Sequence, residues 1–418
     1  MSFTYITSRR GKLSNDPYEI TKKDIDFMLS ENAHDEEECK RVTESSYKGE
    51  NYYADNKANV FFHSFAKEIL YRDSKTSGFI MQYPHGTIIK QAERNHFYRG
   101  ENKIYPESVA SIYRKPNGLV ITEEINSNTE IALYKLLADM RVAEFKNFLQ
   151  KFTIVQEWEM NNFSILYEAL AQHYGLKTRW LDITNDFKIA LFFACCYWDS
   201  DKKHWFPLTK KQTEKNDSTK YGVIFHIPRS NADLAYEYMN NKPFDNPKKY
   251  NIKENVILPI GFQPFRRCDV QTGYGIYMNI PSLLQKDTSF EKLYFRHDEK
   301  LSQWIYDEMT QGNKIYPQEG LDNFLDVIEN INNTNIFSEE AFHHGVNRGN
   351  VFKDELEAKK NLSYVRLNDS PIEIKSGELK FSATRQRIRQ FNRQNKELNF
   401  QKTFGIKLMT RLVCFPPS

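Results

Sequence analysis

"AQHYGLKTRWLDITNDFKIALFFAC", residues 171–195, sets a short polar passage between two apolar segments. The first segment, within 161–175, has apolar residues at helical spacing and ends on Gly175, where a left-handed helix cap belongs. The "TRWLDIT" that follows alternates in part, which predicts a strand or an extended turn. Thr184, Asn185 and Asp186 then offer N-caps for a second apolar helix, "FKIALFFACCYW". Three ionisable residues, His173, Arg179 and Asp182, thus fall between two core-forming elements. They are either ordinary packing and turn chemistry or the wall of a site. Arg179 and Asp182 are three apart, so on a strand they point to opposite faces and do not pair with each other.

Working outward, "HFYRG" at 96–100 reads as a strand ended by its glycine, and 77–84, 221–228 and 254–262 read as further strands bounded by Pro or Gly. Residues 130–149 form the clearest amphipathic helix, with Leu133, Leu136, Leu137, Met140 and Phe145 on one stripe. Helices are also expected at 58–72, after a Thr21 cap, and at 300–312 up to Gly312. The charged stretch 208–220 reads as an exposed loop, and 266–281 as a turn feeding a strand. Helices come first, then strands and helices mixed, which gives an α+β class with a mixed sheet core and flanking helices.

The 418 residues are 40% hydrophobic and 27% charged, enough apolar material for a real core in two or three domains. The net charge of +3 is not the balance of a chain that binds nucleic acid over its whole surface. Five cysteines, at 39, 195, 196, 268 and 414, show neither a CxxC pair nor metal spacing. That pattern suits a reducing, cytoplasmic setting, and no apolar run reaches transmembrane length. No zinc-ligand set, phosphate-binding P-loop or nucleophile elbow occurs, so no metal is expected.

Several candidates remain. Arg99 before Gly100 can present a bidentate fork to phosphate or carboxylate, with the glycine allowing close backbone approach; an ion pair that stabilises the fold is the alternative. His173 can act as a base, bind a ribose hydroxyl, or close the last carbonyls of its helix. Gln271 can bind a ligand or tie down a turn, and at neutral pH it is no general base. Arg385, Arg387, Arg389 and Arg393 lie at helical spacing, either along nucleic-acid phosphates or on a solvated face.

Taken in order, "FYRG" (97–100), "AQHYGLKTRWLDITNDFKIALFFA" (171–194) and "VQTG" (270–273) resemble the FRG domain, a family named for its Phe-x-Arg-Gly motif. Gln172, His173, Tyr174, Gly175, Thr178, Arg179, Leu181, Asp182 and Thr184 match the family's long block, whereas Gly275 stands where the family usually has Phe. The resemblance covers roughly 90–325 and leaves 1–89 and 326–418 as accessory regions, the latter with the basic segment. Its motif order is similar to that of the ADP-ribosyltransferase superfamily, which implies a split-sheet architecture and NAD as substrate. On that implication Arg99, Gly100, Tyr174 and Thr178 hold NAD, while Arg99, His173, Arg179, Asp182 and Gln271 carry the chemistry. Gln271 takes the place of an acid, and an amide stabilises positive charge on a sugar only weakly. Asp182, Glu168 or His173 then supplies the missing group, or the site binds without catalysis. The family's bacterial defence and toxin settings imply an effector with a macromolecular or phage-derived acceptor; the alternative is a recognition module for a nucleotide, nucleic acid or phage protein.

Overall fold

The computed structural model describes residues 17–48, 66–72, 78–83, 86–90, 94–160, 163–229, 256–265, 267–271, 273–278, 280–317, 320–349, 352–379, 384–394 and 406–407. The strands are β1 (Tyr18–Glu19), β2 (Ala66–Arg72), β3 (Gly78–Tyr83), β4 (Gly86–Lys90), β5 (His96–Glu101), β6 (Leu119–Ile121), β7 (Trp180–Thr184), β8 (Cys196–Asp199), β9 (His204–Pro207) and β10 (Tyr221–Pro228). They continue as β11 (Val256–Pro259), β12 (Gly273–Tyr277), β13 (Glu291–Arg296), β14 (Ile336–Ser338), β15 (Val365–Leu367), β16 (Ser370–Pro371), β17 (Glu373–Lys375) and β18 (Ile406–Lys407). The helices used below are α1 (Lys22–Lys48), α2 (Ser127–Leu149), α3 (Thr153–Met160), α4 (Tyr167–His173), α5 (Phe187–Cys195), α6 (Lys210–Thr213), α7 (Arg267–Val270) and α8 (Glu299–Glu308). The last four are α9 (Leu325–Asn333), α10 (Glu339–Gly349), α11 (Glu355–Leu362) and α12 (Thr384–Gln394).

The chain forms two compact units. The first comprises Met1–Val109, Asp182–Gln318 and Gly405–Ser418; the second comprises Ala110–Leu181 and Glu319–Phe404. The class is α+β, with a mixed sheet and helices packed on it. In the first unit a seven-stranded sheet runs β1-β13-β10-β5-β7-β12-β11. β1 and β13 are parallel, while β13–β10, β10–β5, β5–β7 and β12–β11 pair antiparallel. Helix α5 is apolar on almost every side, as a helix buried all round must be. It packs with Tyr98, Ile224, Leu293, Phe295, Ile305 and Tyr306 in one core. Asp186 caps it by accepting from the Lys188 backbone N–H at 2.8 Å.

The glycine of "FYRG" has a packing reason. A Cβ at position 100 would lie 1.7 Å from the Ala190 carbonyl oxygen, so β5 and α5 meet at a distance that only glycine permits. In the second unit, α2 packs on α10, and a second core joins Leu133, Leu136, Leu137 and Met140 to Phe337, Phe342, Leu362 and Val365. Its strands form the sheets β16-β15-β6 and β14-β17.

Two expectations change. Residues 66–72 of the expected helix at 58–72 form strand β2, paired antiparallel with β3; the rest of that stretch lies outside the described residues. The short apolar run fits either period, and pairing with β3 decides it. The expected loop at 208–220 carries a helical turn, α6, because Thr209 and Gln212 make a reciprocal capping box.

Candidate functional site

The sequence-derived site residues divide between the two units, and each set has its own geometry. In the first unit, neighbouring strands β5 and β7 bring Arg99 to Asp182. Arg99 Nη1 donates to the Asp182 carbonyl at 2.8 Å, and Nε donates to Glu101 Oε1 at 2.9 Å. Glu101 is anchored in turn by the Ser108 hydroxyl, 2.7 Å from Oε2. The guanidinium is therefore fixed in orientation, and Nη2 makes no hydrogen bond among the described residues. The Asp182 carboxylate likewise has no partner among the described residues, and its Oδ1 is buried. Leaving such an acceptor unmatched costs about 1–3 kcal/mol, so an unpartnered buried carboxylate oxygen requires an explanation beyond the fold.

Gln271 closes α7, beside this pair in chain topology. Its Nε2 donates to the Ile315 carbonyl at 2.9 Å, and its own carbonyl accepts from the Thr184 hydroxyl at 2.9 Å. Gln271 thus ties the end of β7, through its backbone carbonyl, to the segment near Ile315, through its side-chain amide. Arg267, on the same helix, lies over the Tyr316 ring at 4.5 Å. Gly100 faces α5, with the Ala190 carbonyl filling the space beside it.

In the second unit the long motif builds a tight turn. His173 is buried at the end of α4, Tyr174 is its C-cap, and Gly175 takes the left-handed conformation at φ 87°. Thr178 is sealed from solvent: its hydroxyl donates to Gln172 Oε1 at 2.7 Å and accepts from the Trp180 backbone N–H at 3.1 Å. The Ser111 hydroxyl joins them, donating to Gln172 and accepting from the Thr178 backbone. Gln172, Thr178 and Ser111 therefore brace the turn.

Arg179 is engaged by the fold. Its fork meets Asp139 bidentately, at 2.5 and 2.7 Å, and Glu168 at 3.4 Å. Arg348 from α10 pairs with Glu168 and lies 3.8 Å from Asp139. Two guanidinium groups thus face two carboxylates in one buried network. Asp139 lies outside every sequence-derived set. Its signal is the run Asp139, Arg141, Glu144 within the otherwise apolar stretch 136–145 of α2.

The basic helix α12 has two faces. Ile388 is buried, Phe391 meets Phe152 and Phe324 edge-on, and Arg387 pairs with Asp326 while lying over Phe324. Arg385, Arg389 and Arg393, four residues apart, form the exposed face. Arg387 is thereby separated from the other three.

The first unit also holds a buried chain of His96, His226 and Glu291 across β5, β10 and β13. His96 Nδ1 lies 2.9 Å from His226 Nε2, and His226 Nδ1 lies 2.6 Å from Glu291 Oε2. Glu291 accepts, so His226 Nδ1 carries a proton, and one further proton lies between His226 Nε2 and His96 Nδ1. Burial, with His226 second, pushes the His96 pKa down to about 3. Among the described residues no group of three or more His, Cys, Asp or Glu side chains is placed to hold a metal ion, and no helix is long and apolar enough to cross a membrane.

Residues 94–203 match the family model of the FRG domain, and the chain carries that domain. The matched stretch includes Arg99, Gly100 and Asp182 of the first unit and His173, Tyr174, Thr178 and Arg179 of the second. No curated protein and no solved structure matches the chain.

Proposed function

We propose that this FRG domain takes NAD as its substrate, with Arg99 gripping a phosphate and Asp182 stabilising the ribose as nicotinamide leaves. One observation carries the reading: Arg99, whose guanidinium donates to the Asp182 backbone carbonyl, and the Asp182 carboxylate each keep an unmatched hydrogen-bonding atom. A held guanidinium with a free edge suits a phosphate oxygen. A carboxylate with a buried, unmatched oxygen suits a sugar hydroxyl or a developing positive charge. Glu168, the other carboxylate considered for this role, is engaged by Arg179 and Arg348, which favours Asp182.

In the step, the bond from ribose C1 to the nicotinamide nitrogen breaks and its electron pair stays on nicotinamide. An oxygen nucleophile, from water or from a macromolecular acceptor, bonds to C1 and releases its proton to solvent. The products are nicotinamide with free or transferred ADP-ribose. An ADP-ribosyltransferase-like active site of this kind fits an effector that depletes NAD or modifies a macromolecule in defence against phage. A second reading, recognition without turnover, is favoured by Gln271, whose Nε2 is engaged by Ile315. In that reading the exposed Arg385, Arg389 and Arg393 offer a stripe to nucleic-acid phosphates, with salt-dependent binding as its mark.

The test is nicotinamide release by the purified chain, with and without cell extract, alongside NAD binding by calorimetry. Asp182→Asn is expected to lower kcat by about 100-fold or more with little change in KM. Arg99→Lys is expected to raise KM, since it keeps the charge and loses the fork. Binding without release supports the recognition module. Absence of both release and binding refutes NAD as the ligand, and full turnover by Asp182→Asn refutes the role given to that carboxylate.

A further inference from the structure

Arg99 and Glu101 are two apart on β5, so their side chains lie on one face of the strand. A guanidinium carries its Nε–H and one Nη2–H in parallel, and a carboxylate beside that edge frequently takes both. Arg179 shows a closed fork of the bidentate kind, with both oxygens of Asp139 bound at 2.5 and 2.7 Å. At Arg99 the fork is half open. Glu101 Oε1 accepts from Nε at 2.9 Å, while Nη2, on the same edge, makes no hydrogen bond among the described residues.

A hydroxyl holds the second carboxylate oxygen away. Ser108, fully buried, donates to Glu101 Oε2 at 2.7 Å. Gln285 fixes the direction of that bond. The Ser108 backbone N–H can only donate, and it donates to Gln285 Oε1 at 3.0 Å, so the other end of the amide is its NH2 group. Gln285 Nε2 donates to the Ser108 hydroxyl at 2.8 Å and to the Tyr105 carbonyl at 3.1 Å. The hydroxyl thus accepts from Gln285, and its one proton goes to Glu101. The Leu284 backbone N–H donates to the Ser108 carbonyl at 3.1 Å and closes the clamp.

We propose that Ser108 and Gln285 are positioning residues that hold the Arg99 fork half open, leaving Nη2 for a phosphate oxygen of the ligand. The inference rests on the reading that Arg99 grips a phosphate, and it adds the device that keeps the grip available. Glu101 is 6% exposed, so little water reaches it. Without the Ser108 hydroxyl, its Oε2 turns to the nearest parallel donor, Nη2, and closes the fork. The two charges then satisfy each other, and Arg99 becomes a structural ion pair of the Arg179 kind.

The experiment reads the fork in the full chain, with and without ligand. Nitrogen NMR of the Arg99 guanidinium, its signals identified by their loss in Arg99→Lys, reports on the fork without ligand. Ser108→Ala is expected to shift the Nη2 signal and slow its proton exchange with water. Calorimetry with NAD and with pyrophosphate reads the consequence. Ser108→Ala is expected to weaken binding about tenfold or more, the loss of one charge-assisted hydrogen bond. Gln285→Leu, at a half-buried position, releases the hydroxyl and is expected to move both readouts the same way by less; it serves where melting shows that Ser108→Ala does not fold. Ser108→Ala combined with Glu101→Gln separates positioning from damage. The new amide keeps an oxygen for Nε and presents a donor, not an acceptor, to Nη2, so binding is expected to recover about tenfold over Ser108→Ala alone. Unchanged Nη2 exchange in Ser108→Ala, or a double variant that binds no better than the single one, overturns the device alone. A wild type that binds pyrophosphate but not NAD sinks the NAD reading and leaves the device to be judged on pyrophosphate. A wild type that binds neither overturns both.

Discussion

Arg179→Met removes one of two cations from a network whose carboxylates are almost sealed from water. Asp139 is 1% exposed and Glu168 is 4% exposed, and after the substitution only Arg348 faces both. At an effective dielectric near 20, a charge pair about 4 Å apart is worth about 4 kcal/mol. Breaking a buried pair by removing one partner costs about 3–5 kcal/mol, since the remaining charge stays buried. We expect Arg179→Met to lose that amount in urea unfolding, read as a lower midpoint with an unchanged slope. Arg179→Lys keeps the charge but not the bidentate grip on Asp139, and should lose about 1–2 kcal/mol. The paired change Arg179→Met with Asp139→Leu leaves Arg348 opposite Glu168 and should recover about 2 kcal/mol over the single variant. A loss below about 1 kcal/mol for Arg179→Met, or no recovery in the double variant, refutes the structural role. So does an Arg179→Lys protein of wild-type stability that no longer releases nicotinamide, which would place the guanidinium at the reacting atoms.

Two further outcomes follow from packing and protonation. Gly100→Ala puts a methyl group 1.7 Å from the Ala190 carbonyl oxygen, a backbone atom with no rotamer to give, so stability should fall by about 3 kcal/mol or more by urea midpoint. The folded His96 pKa of about 3 lies below its ordinary 6.5, so between these values the unfolded chain binds the extra proton. Stability from this residue is complete above about pH 6.5 and falls by up to about 1.4 kcal/mol per pH unit below it. His96→Gln, whose amide can donate to or accept from His226, should flatten that slope in unfolding measured from pH 7 to pH 4.

The sequence was most readable where one element carries its own signal. Gly175 as a left-handed cap, an N-cap among Thr184, Asn185 and Asp186, and a strand or extended turn over 178–184 follow from local chemistry; in the structure Gly175 is left-handed, Asp186 is the cap and 180–184 the strand. Arg179 lies just before β7, outside the strand, and meets Asp139 and Glu168, while within β7 the Asp182 backbone carbonyl meets Arg99. What the residues alone do not give is partnership across long separations. Asp139 lies 40 positions before Arg179, and Ile315 lies 44 after Gln271, so nothing local marks either arginine or amide as already engaged. The packing role of Gly100 is hidden for the same reason, because its neighbour Ala190 comes from another element. Strand β2 was misread because a short apolar run suits both periods, and only its pairing with β3 selects one.

The pattern of satisfied and unsatisfied charge separates structure from function in this chain. Glu101, Glu144, Glu168, Arg179 and Glu291 are all buried and all hydrogen-bonded. A fold that matches these groups so consistently has the means to match its others. Asp182 and Arg141 depart from that rule, one with an unpartnered buried Oδ1 and the other with an unpartnered buried Nε. Each departure costs stability unless a ligand, an ion or water supplies the missing partner. The two have opposite charge, so one ligand group does not explain both. Asp182 calls for a donor or a developing positive charge. Replacing Asp182 with asparagine, a neutral residue of similar size, therefore tests that demand through turnover.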